Sequence, residues 1–299
     1  MKRILAATDL SVEGDLAIEQ ADFWARAVGA ELCVYHVLPV APALVMPLVP
    51  VVAPPQLGET LALRLAAEDA VCTRVQAVTG RGPDAFRLLL EEGAPRSAIA
   101  EKAEALAVDL VVIGAHGSGR VVGALLGSVA SSVIRHAHAA VLVARPSPAS
   151  GCVLAATDFS DPALPAVSTG ASIARHLGGQ LTVLHCAEEP TAWIDPAGAG
   201  ALPYPAWTEE LRASLEQEAA TRLRLAMEST GAIGTARVGF GPAGPEIVRV
   251  AGALPAQVVV VGTVGRSGLR GLLLGNVAES VVRNAPCSVF VERLHRPDF

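Results

Sequence analysis

Short apolar runs rich in β-branched residues alternate along this chain with longer stretches whose apolar positions recur at helical spacing. "RILAAT", "LCVYHV", "FRLLLEEG", "DLVVIG" and "AAVLVA" are the runs of the amino-terminal half. Between them lie stretches such as "SVEGDLAIEQADFWARAVG" (11–29) and "APRSAIAEKAEALAV" (94–108). Strand and helix in alternation predict a parallel sheet with helices on both faces. The near-continuous apolarity of the runs agrees, since such strands are buried on both sides. Short right-handed crossovers then give an open doubly wound α/β sheet, in which ligands settle beyond the carboxyl ends of the strands where the strand order reverses.

The pattern is written twice. "ILAATDLS" (4–11) returns as "VLAATDFS" (153–160), and "ELCVYHV" (31–37) returns as "QLTVLHC" (180–186), both displaced by 149 residues. "DLVVIGAHGSG" (109–119) matches "QVVVVGTVGRSG" beginning at 257, where Gly114 and Gly262 stand 148 residues apart, so one residue is lost on the way. "GSVASSVIRHAHAAVLVAR" and "GNVAESVVRNAPCSVFVER" close the two copies. An internal repeat of this length defines the folding unit, and two domains are expected, 1–146 and 151–295, joined by "RPSPASG" (145–151).

Composition narrows the function classes. At 299 residues and 52% hydrophobic the chain can build two ordinary cores. A net charge of -6 with a pI near 5.7 offers no basic footprint for a phosphate backbone, so no nucleic-acid partner is expected. The five cysteines are scattered without a CxxC pair, which fits a reducing compartment, the cytoplasm. The amino terminus reaches Asp9 too soon for a signal peptide. Residues 37–55, "VLPVAPALVMPLVPVVAPP", are uncharged, but six prolines argue for a loop rather than a membrane span.

The chemistry concentrates after the fourth apolar run. Gly114, Gly117, Gly127 and Ser128 follow "DLVVIG" and end where the helical "SVASSVIRHA" begins. Glycine lets a ligand approach bare main-chain amides, and a helix start favours anions. Ser128 is a residue type that caps a helix and offers a hydroxyl to phosphate or to a phosphate-bound metal. These parts make a phosphate cradle. The spacing is neither the P-loop pattern, since no lysine and threonine follow, nor GxGxxG with an acidic ribose partner.

GxxGx9G(S/T), the opening "ATDLS", the "HV" at the end of the second strand and the closing "HAAVLVAR" resemble the universal stress protein family in its tandem form. That resemblance covers nearly the whole chain. It implies, in each half, a five-stranded parallel sheet of order 3-2-1-4-5 and an adenine nucleotide, ATP or ADP or AMP, often with magnesium or manganese. Carried over by position, Ala7 and Asp9 lie at the first strand's end, Asp9 facing the ribose and any metal. Val37 meets adenine through its backbone. Ile113, Gly114, His116 and Gly117 wrap the ribose and phosphates, and Gly127, Ser128 and Val129 hold the phosphates, with Asp9 and Ser128 the candidate metal ligands. The matching set is Asp158, Cys186, Val261, Gly262, Gly265, Gly275, Asn276 and Val277. Val264 replaces the family's histidine and Asn276 its serine or threonine, so a weaker or altered second site is expected.

Blander readings stand beside these. Asp9 and Asp158 can equally cap the first helix of each half. His36 and His185 fit hydrogen-bonded core histidines, and Cys186 and Cys287 fit small buried hydrophobes. Two proline-rich inserts follow the second strands, and Trp193, Tyr204 and Trp207 make the later one a candidate contact for a protein partner. The fifth strands are apolar edges that invite pairing, within the chain as a pseudo-dimer and between chains as a homodimer. Three functions follow: a nucleotide-binding stress regulator, a slow ATP hydrolase, and a nucleotide-independent interaction module. Arg120, Arg135, Arg266, Arg270 and Arg283 flank the motifs, but no catalytic base is evident beside them, so no catalytic residue is assigned.

Overall fold

The computed structural model describes residues 1–39, 57–117, 126–187, 208–263 and 274–293. The chain divides into two compact units, Met1–Pro146 and Ser147–Phe299. The first runs β1 (Arg3–Thr8), α1 (Val12–Val28), β2 (Glu31–Pro39), α2 (Leu57–Thr79), β3 (Arg87–Gly93), α3 (Pro95–Ala105), β4 (Leu110–Gly114), α4 (Ser128–His136) and β5 (Ala140–Ala144). The second repeats it as β6 (Val153–Ala156), α5 (Leu164–His176), β7 (Leu181–Ala187), α6 (Glu209–Thr230), β8 (Thr235–Phe240), α7 (Ala243–Ala253), β9 (Val258–Gly262), α8 (Asn276–Asn284) and β10 (Ser288–Glu292).

Each unit holds a parallel five-stranded sheet of order 3-2-1-4-5, β3-β2-β1-β4-β5 in the first and β8-β7-β6-β9-β10 in the second. This is the doubly wound fold expected from the apolar periodicity. Every residue of β4 and β5 is buried, as strands covered on both faces must be. The strand order reverses between β1 and β4, whose carboxyl ends lie side by side with Ala7 opposite Ile113. A crevice opens there because the connection from β1 leaves to one side and that from β4 to the other.

Helix α1 shows how sequence becomes packing. Ala17, Ile18, Ala21, Trp24 and Ala25 recur on one face and are buried. Asp22 is buried among them and answers Arg26 at 2.8 Å and Arg81, which also donates to the Ala85 carbonyl at 2.8 Å. Two cations for one carboxylate satisfy a charge that would be costly alone, and they tie the turn after α2 to α1.

The uncharged stretch 37–55 begins in strand, because β2 extends through Pro39. Its remaining residues lie outside those described. Among the described residues no helix is long and apolar enough to cross a membrane.

Candidate functional site

β1 ends at Thr8, and the chain then turns through Leu10 at φ 66°, a left-handed backbone unusual for a residue with a branched side chain. Side chains hold the turn. Thr8 Oγ1 accepts from the Leu10 amide at 3.1 Å, and Asp9 Oδ1 accepts from the Ser11 amide at 3.1 Å and the Ser11 hydroxyl at 2.5 Å. Ser11 Oγ in turn accepts from the Gly14 amide at 3.1 Å as the cap of α1. The capping reading of Asp9 is therefore corrected: Ser11, at the position whose extended backbone aims its oxygen at the helix, is the cap. Asp9 orients the capping residue and remains exposed. A side chain on Gly117 would come within 2.6 Å of Asp9 Oδ2, so the glycine gives that carboxylate its room.

The opposite wall is the passage from β4 to α4. The Gly127 amide donates to the Ala115 carbonyl at 2.7 Å, closing the loop between strand and helix. Gly127 occupies the cap position of α4 with no side chain on the helix amides, and the first amide bonded back is that of Ser131, to Gly127 O at 2.9 Å. The N–H groups of Ser128, Val129 and Ala130 thus have no intrahelical acceptor. Ser128 is the first helical residue and not the cap, which corrects the expectation from its residue type. The cap position cannot take a side chain easily, because a Cβ at Gly127 would sit 3.2 Å from Ala115 O. Gly114 serves packing as well, since a Cβ there would meet the Glu13 carbonyl at 2.8 Å.

Between these walls lies a cavity of about 310 Å³. All ten candidates of the first half line it: Ala7, Asp9, Val37, Ile113, Gly114, His116, Gly117, Gly127, Ser128 and Val129. Thr8, Tyr35, Pro95 and Ile99 line it too and were not singled out from the sequence. Tyr35 stands two residues before Val37 and so shares its strand face, the one signal that points to it. Its ring is 1% exposed and its hydroxyl donates to Glu91 at 3.0 Å. Burial, reinforced by that carboxylate, pushes the Tyr35 phenol well up. Glu91 is also ion-paired with Lys102, which, with the Tyr35 bond, holds its carboxyl below the usual range against the opposing effect of burial.

The second unit has a matching crevice of about 510 Å³ lined by Asp158, Cys186, Val261, Gly262, Gly275, Asn276 and Val277. Gly265, like Val264, lies outside the described residues, as do Arg120, Arg266, Arg270, Trp193, Tyr204 and Trp207. The turn is rebuilt: Thr157 Oγ1 accepts from the Phe159 amide at 3.1 Å, Phe159 has φ 65°, and Asp158 Oδ1 takes the Ser160 amide at 3.0 Å and hydroxyl at 2.5 Å. The helix starts later, at Leu164 behind Ala163, so neither Asp158 nor Ser160 caps it. Pro162 and Pro165, which lack an N–H, stand where the first-half copy has Glu13 and Leu16. The Gly275 amide donates to Thr263 O at 2.7 Å, and Asn276, like Ser128, is the first helical residue.

His36 and His185 each bring Nδ1 to 2.9 Å from the carbonyl of Thr8 or Thr157; His36 is buried in the core role read from the sequence, whereas His185 is only partly buried and lines the second crevice. Cys287 is fully buried. Cys186 is half-buried, and desolvation, with the Glu246 carboxylate adding and Arg249 opposing, pushes its thiol up to about 12, so it behaves as an apolar wall atom. Arg283 pairs with Glu279 on its own helix at 2.8 Å. Among the described residues no group of three His, Cys, Asp or Glu side chains is arranged to hold a metal.

Two doubly wound α/β units in tandem, each with a crevice at the strand-order reversal and a glycine-capped helix facing it, define the class of protein. The sequence profile of the universal stress protein family matches residues 1–145 and again 152–293. The chain belongs to that family. Universal stress protein Rv1996 of Mycobacterium tuberculosis is 35% identical over 202 aligned residues, covering 62% of this chain and 59% of that protein. Rv2623 of the same organism is 33% identical over 192, covering 62% and 61%. The chain thus matches about three-fifths of the length of these relatives. A universal stress protein from Archaeoglobus fulgidus shares the fold over 97% of this chain and 98% of its own, with TM-score 0.64 at 20% identity. One from Pseudomonas aeruginosa does so over 98% and 93%, with TM-score 0.66 at 21% identity.

Proposed function

We propose that the amino-terminal crevice binds an adenine nucleotide, ATP or its products ADP and AMP, and that occupancy biases the conformation or partner choice of a cytoplasmic stress-response regulator. One observation carries this reading: α4 begins behind a glycine with no side chain on its first-turn amides, and the residues bearing those amides line the crevice. Unpaired amides at a helix start favour an anion, and a polyphosphate supplies a row of non-bridging oxygens to accept from them. Asp9 across the crevice, with one carboxylate oxygen held by Ser11, fits the ribose or a cation shared with the phosphates. Magnesium suits that donor set, because it is ordinarily held by one or two carboxylates together with phosphate oxygens rather than by a protein cage. When bound it would neutralise phosphate charge, with Asp9 and the Ser128 hydroxyl as the protein's ligands. Occupancy shifts a conformational equilibrium only through unequal affinity for two states.

The test is to denature purified protein and identify any co-purified nucleotide, then to follow the thermal unfolding of nucleotide-free protein against ATP with and without magnesium. A dose-dependent rise, diminished by Gly127→Val, is expected. No shift at millimolar ATP in a folded protein would refute the reading.

A further inference from the structure

The two crevices differ in volume, and on the β2 side the matched positions all change in one direction. On β2 the wall is Tyr35 and Val37; on β7 it is Leu184 and Cys186, with His185 between them also reaching the crevice. On the helix above, Pro95 of α3 is matched by Ala243 of α7, whereas Ile99 is matched by Ile247. Each change removes side-chain volume, and the cavity grows from about 310 to about 510 Å³. The phosphate side keeps its plan: both glycine caps donate to the carbonyl after the fourth strand at 2.7 Å, and both aspartates accept from the serine two residues on.

The direction of the difference follows from topology. In the 3-2-1-4-5 order, β2 lies across β1 from β4, and in the second unit β7 lies across β6 from β9. A nucleotide with its phosphates at the helix start therefore places its base toward β2 or β7. In the first unit that end is rigid, because the Tyr35 hydroxyl is tied to Glu91, and Glu91 to Lys102 on α3. Leu184 has no such tether. The second crevice has smaller side chains where a base would sit, and the backbone bonds of the cap and the aspartate turn are kept where phosphate would sit.

We infer that the second crevice is a site of relaxed base selectivity, accepting purine nucleotides that carry a substituent on the base, with Leu184, Cys186 and Ala243 as the determinants and Tyr35 as the residue that excludes such ligands from the first. The inference rests on the nucleotide reading and deepens it. Space of this kind discriminates by steric exclusion, for which about tenfold is a modest expectation.

Equilibrium titration of the full chain with ATP and with three base-substituted analogues, N6-benzyl-ATP, 2-methylthio-ATP and 8-bromo-ATP, tests it. ATP is expected to fill two sites. At least one analogue is expected to fill only one, with its affinity there within about threefold of ATP and at least about tenfold poorer at the other site. Leu184→Tyr should abolish the analogue's site while sparing ATP at the first, and Tyr35→Leu should raise the analogue stoichiometry from one to two. Because Tyr35→Leu also breaks the tie to Glu91, Tyr35→Phe serves as its control and should keep the analogue excluded. Two ATP sites that discriminate every analogue alike, or an analogue stoichiometry unmoved by Leu184→Tyr, would overturn the inference and leave the nucleotide reading standing. ATP bound at neither site overturns both.

Discussion

Arg74 on α2 donates through Nη2 to the carbonyl of Leu10 at 2.7 Å, while its Nη1 lies 3.0 Å from Asp15. One side chain thereby pins the left-handed turn that presents Asp9 and neutralises a mostly buried carboxylate in the first turn of α1. The matching Arg222 lies over the ring of Phe159 at 5.9 Å and pairs with Glu218 on its own helix. Leu164 stands where Asp15 would be, so the second turn has no carboxylate to attract it.

Desolvation raises the Asp15 carboxyl above its ordinary value, with the Asp9 charge adding and Arg74 opposing. A carboxyl raised on folding contributes most below its unfolded pKa, and that contribution is lost as pH rises through the folded value. Arg74→Met removes the lowering influence and moves the folded value further up. The substitution should cost about 1–2 kcal/mol at pH 7 and measurably less near pH 3, below the ordinary aspartate range, where a raised carboxyl carries its proton in either protein. Urea unfolding at the two pH values reads the difference, and a pH-independent cost contradicts it.

Ser11 caps α1, whereas Ser160 makes the same bonds to its aspartate and does not cap α5. Ser11→Ala should therefore destabilise its unit by about 1 kcal/mol more than Ser160→Ala does its own. Denaturant midpoints of the two variants, measured side by side, give the answer.

Gly114→Ala drives a methyl to within 2.8 Å of the Glu13 carbonyl, while Gly262→Ala meets the Pro162 carbonyl at 3.1 Å. Backbone is the obstacle in both, and the nearer one cannot be avoided by a rotamer change. About 2–3 kcal/mol is expected for the first and about 1 kcal/mol for the second, as falls in thermal midpoint by calorimetry.

Leu10 and Phe159 share a left-handed backbone but not their surroundings, since the Phe159 ring lies 4.1 Å from that of His185. Glycine relieves roughly 1 kcal/mol of strain at either position. Leu10→Gly should be neutral or stabilising by up to about 1 kcal/mol, and Phe159→Gly destabilising by a similar amount because the ring contact is lost. Equal effects would mean that the stacking contributes nothing.

Much of this was legible beforehand. The doubly wound fold in both halves follows from periodicity and the repeat, the strand order from the family resemblance alone, and the ten first-half candidates meet in one crevice. The helix caps were misread because residue type suggests a cap, whereas the position that accepts one is set by where the preceding strand leaves the backbone: Gly127 lies against Ala115, and Pro162 delays α5. Helix α2 gave a weak signal for a physical reason. Leu61, Leu63 and Leu65 are exposed while Val71 and Val75 are buried, so its apolar residues do not form one stripe. Tyr35 escaped notice because an aromatic within an apolar strand reads as core, and only the fold reveals that one edge of it borders a cavity.

The tether on Tyr35 ends near solvent, for Lys102 and Glu91 retain 22% and 44% of their side-chain exposure. A ring at the floor of the crevice is thus steered by charges on the outside of the molecule. Reversing the charge of Lys102 is expected to release Glu91, and with it the Tyr35 hydroxyl, without any atom of the cavity being changed.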